Sequence, residues 1–300
     1  MELRHFDALL AIDRFRSFTA AADSLHTVQS NVSDMVRQLE SELDVVLLVR
    51  GRRGAQPTEF GRVVLDRARR IRSEIEAMRQ DIAMIQGLEV GHASIGVVGT
   101  VSRWLAPAVV AQLQERAAGV HIRVHEGASE RLALEVADQT LAQAIVTEPL
   151  NDPRLHVEHL LDEDLVVMAR TDVALGEGPV ELAALSHLRM ILPPTGNPLR
   201  AEIDLAALNA GVSISVEVEV EGVRLIADLV ASGAGITIIP ETAVPSDAAA
   251  LGLQRVAIAA MPPRRLALVT ARGGYLSLAD QLVHDVVIEL VRASRSREDL

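Results

Sequence analysis

The sequence contains no cysteine and no lysine in 300 residues. Without cysteine the chain cannot form disulfides, use a thiolate nucleophile, ligate an iron–sulfur cluster or sense redox state through thiols. Without lysine it has neither a Schiff-base amine nor the lysine of a phosphate-binding P-loop. The chain also lacks an apolar run of membrane-spanning length, and its first residues lack the apolar core of a signal peptide. We therefore expect a cytoplasmic protein with no membrane partner.

A helix-turn-helix pattern is present near the N-terminus. Residues 18–43 predict a short alanine-rich helix, a tight turn and a second, amphipathic helix. Apolar residues recur at helical spacing in the second helix and predict one buried face: Val32, Val36, Leu39 and Leu43. Small polar side chains fill its first turn and project beyond the helix end. This is the arrangement by which a recognition helix enters the DNA major groove.

The residues before this pattern predict how it is supported. An apolar stripe marks a first helix that braces the other two, and it consists of Leu3, Phe6, Leu9, Leu10 and Phe15. Thr19 is placed to cap the second helix.

These residues resemble the LysR-type transcriptional regulators, and the resemblance extends over the whole chain. It implies an α/β protein with an N-terminal winged helix-turn-helix domain (1–58), a long linker helix for dimerisation (59–88) and a C-terminal two-lobed effector domain (89–300) that resembles periplasmic binding proteins. Lobe I would comprise residues 89–162 and 267–300, and lobe II residues 163–266. The resemblance further implies a sequence-specific transcriptional regulator, not an enzyme, that is controlled by a small-molecule effector bound between the lobes.

The resemblance implies that the recognition helix and the preceding turn contact double-stranded DNA through Thr27, Gln29, Ser30, Asn31, Ser33 and Arg37. Amide side chains can pair with adenine edges, and hydroxyls suit phosphates. The alternative is that Ser30 and Asn31 only satisfy unpaired amides at a helix start. The family often has serine or threonine where Val28 stands and proline where Ser30 stands, so Val28 offers no hydroxyl for DNA.

Residues 45–49 predict a strand that enters the tight turn 50–54. This turn resembles the wing of the fold, which implies that Arg50, Arg52 and Arg53 lie along the DNA backbone or minor groove, although an ordinary solvated basic turn would have the same sequence. Eight arginines occur from residue 50 to residue 72, and the acidic excess lies mainly after residue 90. The net charge of −12 is therefore compatible with DNA binding, because the basic segment is separate from the acidic part.

Thr58 is placed to cap a long helix that runs to about Gln86. The helix carries an unbroken heptad seam: Val64, Ala68, Ile71, Ile75, Met78, Ile82 and Ile85. Such a seam is typical of a helix that pairs with another helix, whereas the alternative is a helix packed on its own domain. In the family these helices pair antiparallel, which implies a homodimer or homotetramer on an interrupted palindrome, with RNA polymerase as a further partner.

From residue 93 onward, short apolar runs alternate with helical segments and predict an α/β domain with largely parallel sheets. Ligands in such domains bind beyond the carboxyl ends of strands. The resemblance implies an effector pocket lined from these loops by Thr100, Ser102, Ser129, Thr147, Thr195 and Asn197. Each of these residues alone could instead be a helix cap or a turn residue. Ala142 stands where the family commonly has an aspartate.

No cofactor and no metal is expected. His121 and His125, and likewise His156 and His159, have no third ligand at a matching spacing. Two other functions remain open at this point. The two-lobed domain could be an enzyme or small-molecule carrier whose N-terminal helices serve assembly only, or the protein could be a regulator with a closed pocket that acts without a ligand.

Overall fold

A computed structural model describes residues 1–51, 54–86, 91–176 and 178–298 of the chain. Two compact units are present. The first comprises Met1–Arg79 and Asp138–Thr140, and the second comprises Gln80–Ala137 and Leu141–Leu300.

Helices dominate the first unit, and they are joined to one β-hairpin. The elements are α1 (Leu3–Phe15), α2 (Phe18–Ser24), α3 (Gln29–Leu43), β1 (Leu48–Gly51), β2 (Gly54–Pro57) and α4 (Glu59–Ile85), of which α4 continues beyond the unit. The predicted helix-turn-helix is confirmed, with α2 and α3 separated by residues 25–28. Leu9 and Ile12 of α1 are fully buried, as are Val32 and Leu39 of α3, so one apolar face of each helix forms the core.

Three details of this unit differ from the sequence prediction. Leu43 is exposed rather than buried, because it is the last residue of α3 before Asp44 turns into the left-handed conformation. Ser17, not Thr19, caps α2, since the helix begins at Phe18 and the Ser17 hydroxyl accepts a hydrogen bond from the Ala20 amide at 3.3 Å. The strand before the wing begins at Leu48, so Val45 lies outside it.

The predicted cap of the long helix is confirmed. Thr58 Oγ1 accepts a hydrogen bond from the Gly61 amide at 3.0 Å and donates one to the Val46 carbonyl at 2.7 Å. One hydroxyl therefore satisfies a free amide at the start of α4 and fixes that start against the segment before β1.

In the second unit, helices alternate with strands along the chain. Its elements are β3 (Gly91–Val98), α5 (Gly99–Arg116), β4 (Val120–Gly127), α6 (Ser129–Ala137), β5 (Gln143–Thr147), β6 (Leu155–Glu163), β7 (Leu165–Arg170), α7 (Leu182–Leu185), β8 (Met190–Leu192), α8 (Pro198–Asn209), β9 (Val216–Glu219), α9 (Val223–Ala231), β10 (Thr237–Pro240), β11 (Leu253–Ala257), β12 (Arg264–Ala271) and α10 (Leu278–Glu298). A short 3₁₀ helix, Glu241–Ala243, follows β10.

Two lobes follow from the pairing of these strands. Lobe I is built on a five-stranded sheet in the order β4-β3-β5-β12-β6, and lobe II on a three-stranded sheet, β10-β7-β11, with the separate pair β8-β9. Each lobe has its own core of buried aliphatic side chains. The two-lobed α/β fold is thus as predicted.

The prediction of largely parallel sheets was wrong. β3 pairs in parallel with β4 and β5, and β8 pairs in parallel with β9. By contrast, β12 is antiparallel to both β5 and β6, and the three-stranded sheet is antiparallel throughout. The physical reason lies in the crossings between lobes. β6 leads out of lobe I and β12 leads back into it, so two neighbouring strands at that edge must run in opposite directions.

We expect the substitution Gly61→Ala to destabilise the first unit. A Cβ atom at Gly61 would lie 2.1 Å from the Leu47 carbonyl oxygen, a contact that only a backbone shift can relieve. Overpacking of this kind costs roughly 1–3 kcal/mol. Urea denaturation should show a lower free energy of unfolding, whereas Ser73→Ala, at an exposed position of the same helix, should leave it unchanged. Equal values for both variants would contradict the close approach of α4 to residue 47.

Candidate functional site

The N-terminal turn of α3 presents polar side chains to solvent. Gln29, Ser30 and Asn31 are exposed, and Thr27 and Ser33 are partly exposed. Asn31 Nδ2 donates a hydrogen bond to Thr27 Oγ1 at 3.0 Å, so these two side chains form one polar surface ahead of the helix. The structure therefore brings together five of the side chains that the sequence suggested for DNA contact.

The capping alternative for Ser30 and Asn31 is not realised in this geometry. Val28 occupies the N-cap position of α3 and offers no side-chain acceptor. Among the hydrogen bonds of the described residues, neither the Ser30 nor the Asn31 side chain accepts from an amide of the first turn. The first-turn amides and the exposed side chains consequently lie at the same helix end, where a phosphate could be bound.

The remaining DNA-contact candidates lie further along the unit. Arg37 is exposed on α3 and forms an ion pair with Asp34 one turn earlier. Arg50 belongs to β1, which pairs antiparallel with β2 as the wing prediction requires. Arg52 and Arg53 lie outside the described residues. The charge of the chain is unevenly divided, since residues 1–79 contain 13 arginines and 12 carboxylates, whereas residues 80–300 contain 16 arginines and 29 carboxylates.

In lobe I, the predicted effector residues lie at the carboxyl ends of parallel strands. Thr100 and Ser102 lie in the first turns of α5, directly after β3, and both are buried. Ser102 Oγ donates to Glu126 Oε2 at 2.7 Å, whereas Thr100 Oγ1 is buried and has no hydrogen-bond partner within the described part of the chain. A buried hydroxyl without a partner is costly, so a ligand atom at this position would satisfy it.

Ser129 and Thr147 meet on the same side of lobe I. The two hydroxyls are 3.2 Å apart, and the Thr147 amide donates to Ser129 Oγ at 3.0 Å. The lobe II candidates behave differently. Thr195 is exposed in the turn before α8, and the Asn197 side-chain oxygen caps α8 by accepting from the Leu199 amide at 2.9 Å. For Asn197, the helix-cap interpretation is therefore realised.

A side chain of lobe II approaches these residues from α9. Arg224 Nη2 lies 3.5 Å from Ser102 Oγ and 3.7 Å from Glu126 Oε2. The guanidinium is largely exposed, so its attraction to Glu126 is screened by water.

Sequence reasoning missed a buried ionic cluster centred on Arg264. The Arg264 side chain is 5% exposed and the Glu163 side chain 1% exposed, and their nearest charged atoms are 3.4 Å apart. Arg264 also lies 2.9 Å from Glu202 Oε2 of α8 and donates to Thr147 Oγ1 at 3.1 Å. Burial raises the pKa of both Glu163 and Glu202, because removal from water disfavours the ionised carboxylate more than Arg264 favours it.

The sequence contains one feature that indicates burial of Arg264, although its neighbours and those of Glu163 suggest the opposite. Arg264 follows two prolines and Glu163 stands between two aspartates, which suggests exposed connections. Strand parity is the feature that identifies Arg264, because it shares a face with Leu266 and Leu268, both buried in lobe I.

The described residues contain no group of three or more histidine, aspartate or glutamate side chains placed to hold a metal ion. His125 instead lies 3.3 Å from Glu135, and His159 lies 3.3 Å from Glu148. None of the described helices combines the length and the apolar composition needed to cross a membrane.

Two parts of the chain match models of known protein families. Residues 3–62 match the model of the bacterial regulatory helix-turn-helix proteins of the lysR family, and residues 86–292 match the LysR substrate binding domain. The hydrogen peroxide-inducible genes activator of Haemophilus influenzae is 26% identical over 98% of both chains. The nitrogen assimilation regulatory protein nac of Klebsiella aerogenes is 28% identical over 97% of this chain and 95% of its own.

Solved structures share the fold. A full-length OxyR variant from Pseudomonas aeruginosa superimposes with a TM-score of 0.73 at 21% identity, covering 96% of this chain and 98% of that chain. Full-length CbnR in complex with its target DNA gives a TM-score of 0.64 at 20% identity, covering 96% and 99%. A helix-turn-helix unit joined to a two-lobed substrate-binding domain defines a DNA-binding transcriptional regulator. The chain belongs to the LysR family of such regulators.

We expect Glu163→Gln to change how stability depends on pH. A raised pKa means that the folded state binds the proton more tightly than the unfolded chain, so the contribution of Glu163 to stability declines as pH rises from the ordinary glutamate pKa through the raised one. The glutamine variant cannot ionise. Its free energy of unfolding should therefore rise relative to the wild type across that pH window.

The measurement is urea denaturation at a series of pH values between about 4 and 8, taken as the difference from the wild type at each pH. Glu221→Gln, at an exposed position of lobe II, is the control for the loss of one carboxyl group and should lack the rise expected for Glu163→Gln. A flat difference for Glu163→Gln would contradict a raised pKa of Glu163 in the folded protein.

Proposed function

We propose that this regulator binds an interrupted palindrome as a homodimer or homotetramer and that a small molecule bound between its lobes controls the complex. The observation that carries the proposal is the exposed polar turn at the start of α3, combined with an apolar seam on α4 that is exposed in the single chain. The polar turn can contact DNA bases, and pairing through the α4 seam can place two such turns on one DNA site.

DNA contact is assigned to Thr27, Gln29, Ser30, Asn31, Ser33 and Arg37 of the helix-turn-helix and to Arg50, Arg52 and Arg53 of the wing. Gln29 and Asn31 offer the paired donor and acceptor that recognise adenine in the major groove. The hydroxyls and arginines suit phosphates, which fix the register but carry no sequence information. Val28 supplies an exposed apolar side chain at the same helix end and suits a thymine methyl group.

Dimerisation is assigned to α4. Four seam residues remain exposed: Ile71 (37%), Met78 (53%), Ile82 (49%) and Ile85 (78%). The seam residues near the start of the helix are covered within the first unit instead: Ala68 is buried, and Val64 is partly buried against the same core. The seam therefore changes along the helix from intramolecular packing to a surface that a second α4 can cover, and a two-fold dimer implies a palindromic site.

Effector control is assigned to the crevice lined by Thr100, Ser102, Ser129 and Thr147, with Thr195 and Asn197 on the lobe II side. Thr100 supports this assignment most directly, because its buried hydroxyl has no partner among the described residues. An effector can shift an equilibrium between two assembly states only if it binds one of them more tightly. The crevice would therefore differ in shape between those states.

For the domain bounds we propose those predicted from the sequence: a DNA-binding domain at 1–58, a linker helix at 59–88 and an effector domain at 89–300 that divides into lobe I (89–162, 267–300) and lobe II (163–266). The protein would act in the cytoplasm, with RNA polymerase as the partner that receives the signal, and without catalytic activity.

The first experiment is DNA binding by the purified protein to fragments from around its own gene, titrated with salt. We expect selective binding to an interrupted palindrome that weakens steeply as salt rises, because arginine–phosphate contacts release counterions. Equal, weak binding to every fragment would contradict the proposal and favour a carrier.

We expect Gln29→Ala to reduce discrimination rather than folding. The loss of one two-pronged base contact costs about 1–3 kcal/mol for the preferred site and much less for unrelated DNA. Competition binding against mutated sites measures this difference. Gln38→Ala is the matched control, since Gln38 is exposed on the same helix well away from its N-terminal turn. An equal effect of the two variants would contradict the assignment of Gln29 as a DNA contact.

We expect Ile82→Glu to dissociate the dimer without unfolding the chain, because Ile82 is already half exposed in the single chain. Burying an unpaired carboxylate in a helix interface costs several kcal/mol, so the dimer dissociation constant should rise about 100-fold or more. Sedimentation equilibrium measures the shift. Ser73→Glu, on the same helix but off the seam, should leave the dissociation constant unchanged; the same loss in both variants would place the interface elsewhere.

A further inference from the structure

The Arg264 cluster lies where the chain crosses between the lobes. Glu163 is the last residue of β6 and Arg264 is the first residue of β12, and the two residues are direct partners in the antiparallel register. β7 of lobe II begins at Leu165, only two residues after Glu163. One buried ion pair therefore joins the two segments by which the chain passes between the lobes, at the end of the β6–β12 ladder.

The same guanidinium also reaches into each lobe. On the lobe I side, Arg264 Nη2 donates to Thr147 Oγ1 at 3.1 Å, and Thr147 Oγ1 in turn accepts from Ser129. On the lobe II side, Arg264 Nε lies 2.9 Å from Glu202 Oε2 of α8. The Thr242 hydroxyl, in the 3₁₀ helix of lobe II, donates to Glu163. The cluster thus joins the floor of the proposed crevice to two elements of lobe II.

Other polar contacts between the lobes are weaker. Arg224 meets Glu126 with both side chains more than half exposed, and Arg103 lies 4.0 Å from an exposed Asp247. Exposed pairs of this kind contribute little because water screens them. Breaking a buried pair leaves an uncompensated charge away from water, so the Arg264 cluster favours one arrangement of the lobes more strongly than these two exposed pairs do.

We infer that Arg264 is a hinge-positioning residue that couples the hydroxyls of the crevice floor, Thr147 and Ser129, to the angle between the lobes through Glu202 of α8. A ligand that competes for the Thr147 hydroxyl changes the hydrogen bonding of Arg264, and the ion pair with Glu202 transmits that change to lobe II. The coupling to a ligand rests on the proposed function, because it requires an effector in the crevice. The role of Arg264 in fixing the angle between the lobes does not require one.

The distance between the lobes can be measured directly because the chain has no cysteine of its own. Cysteines introduced at Gln114, exposed on α5, and at Leu208, exposed on α8, accept one spin label each. Full-length labelled protein is mixed with an excess of unlabelled protein, so that pulsed electron paramagnetic resonance reports distances within one chain. The unsubstituted protein should give one narrow distance distribution.

Two conservative variants each remove one contact of Arg264, either with Thr147 of lobe I or with Glu202 of lobe II. Thr147→Val removes the hydroxyl on the lobe I side and keeps the shape, and Glu202→Gln removes the charge on the lobe II side and leaves the Arg264–Glu163 pair. Both should broaden the distribution or add a second population, and Arg264→Gln should do so most. Should Arg264→Gln fail to fold, the two milder variants still decide the result.

Arg265→Gln is the matched control. Arg265 is the next residue of β12, is largely exposed and lies near Glu148 and Asp162, both of lobe I. It should retain the narrow distribution. Narrow, unshifted distributions for Thr147→Val, Glu202→Gln and Arg264→Gln alike would overturn the inference, even if the variants were less stable to urea. DNA binding by the same preparations is scored separately, so that loss of the proposed function is distinguished from loss of the hinge.

Discussion

The antiparallel pairing of β6 with β12 is the constraint on which the effector unit depends. These two strands carry the chain out of lobe I and back into it, so their register fixes where lobe II begins and ends. The buried pair of Glu163 and Arg264 lies at the end of that ladder. Burying two charges costs desolvation free energy, so the pair adds little net stability to the fold. A shifted register would leave each charge buried without its partner, and the pair therefore favours this register over others.

In the first unit, the residues that form the core are separate from those that are exposed for binding. Val32, Val36 and Leu39 direct one face of α3 into a core with α1, and that packing leaves the opposite face and the first turn free. Thr58 then fixes the start of α4 close to the wing hairpin. This packing holds the polar turn of α3 in place before DNA binds, which lowers the ordering cost of binding DNA.

The features that sequence predicted well are those with a local cause. The helix-turn-helix follows from apolar spacing, and the Thr58 cap from a hydroxyl before a helical pattern. Features that depend on distant neighbours were missed. Nothing near Arg264 in the sequence indicates that Glu163 and Glu202 enclose it, since they are 101 and 62 positions away in the numbering. The mixed strand directions were missed for the same reason, because a short apolar run predicts a buried strand but not its orientation.

Composition limits how a signal can enter this regulator. Among its relatives are hydrogen peroxide-inducible activators, yet without cysteine and lysine none of its side chains can take a thiol modification or form an imine with a ligand. The proposed control by a reversibly bound effector has an energetic requirement: moving a two-state equilibrium from 1:99 to 99:1 needs about a 10⁴-fold preference for one state. Contacts that exist in only one arrangement of the lobes are what supply such a preference. The proposed crevice offers such contacts, because the hydroxyls of Thr147 and Ser129 share hydrogen bonds with Arg264, which also contacts Glu202 of lobe II.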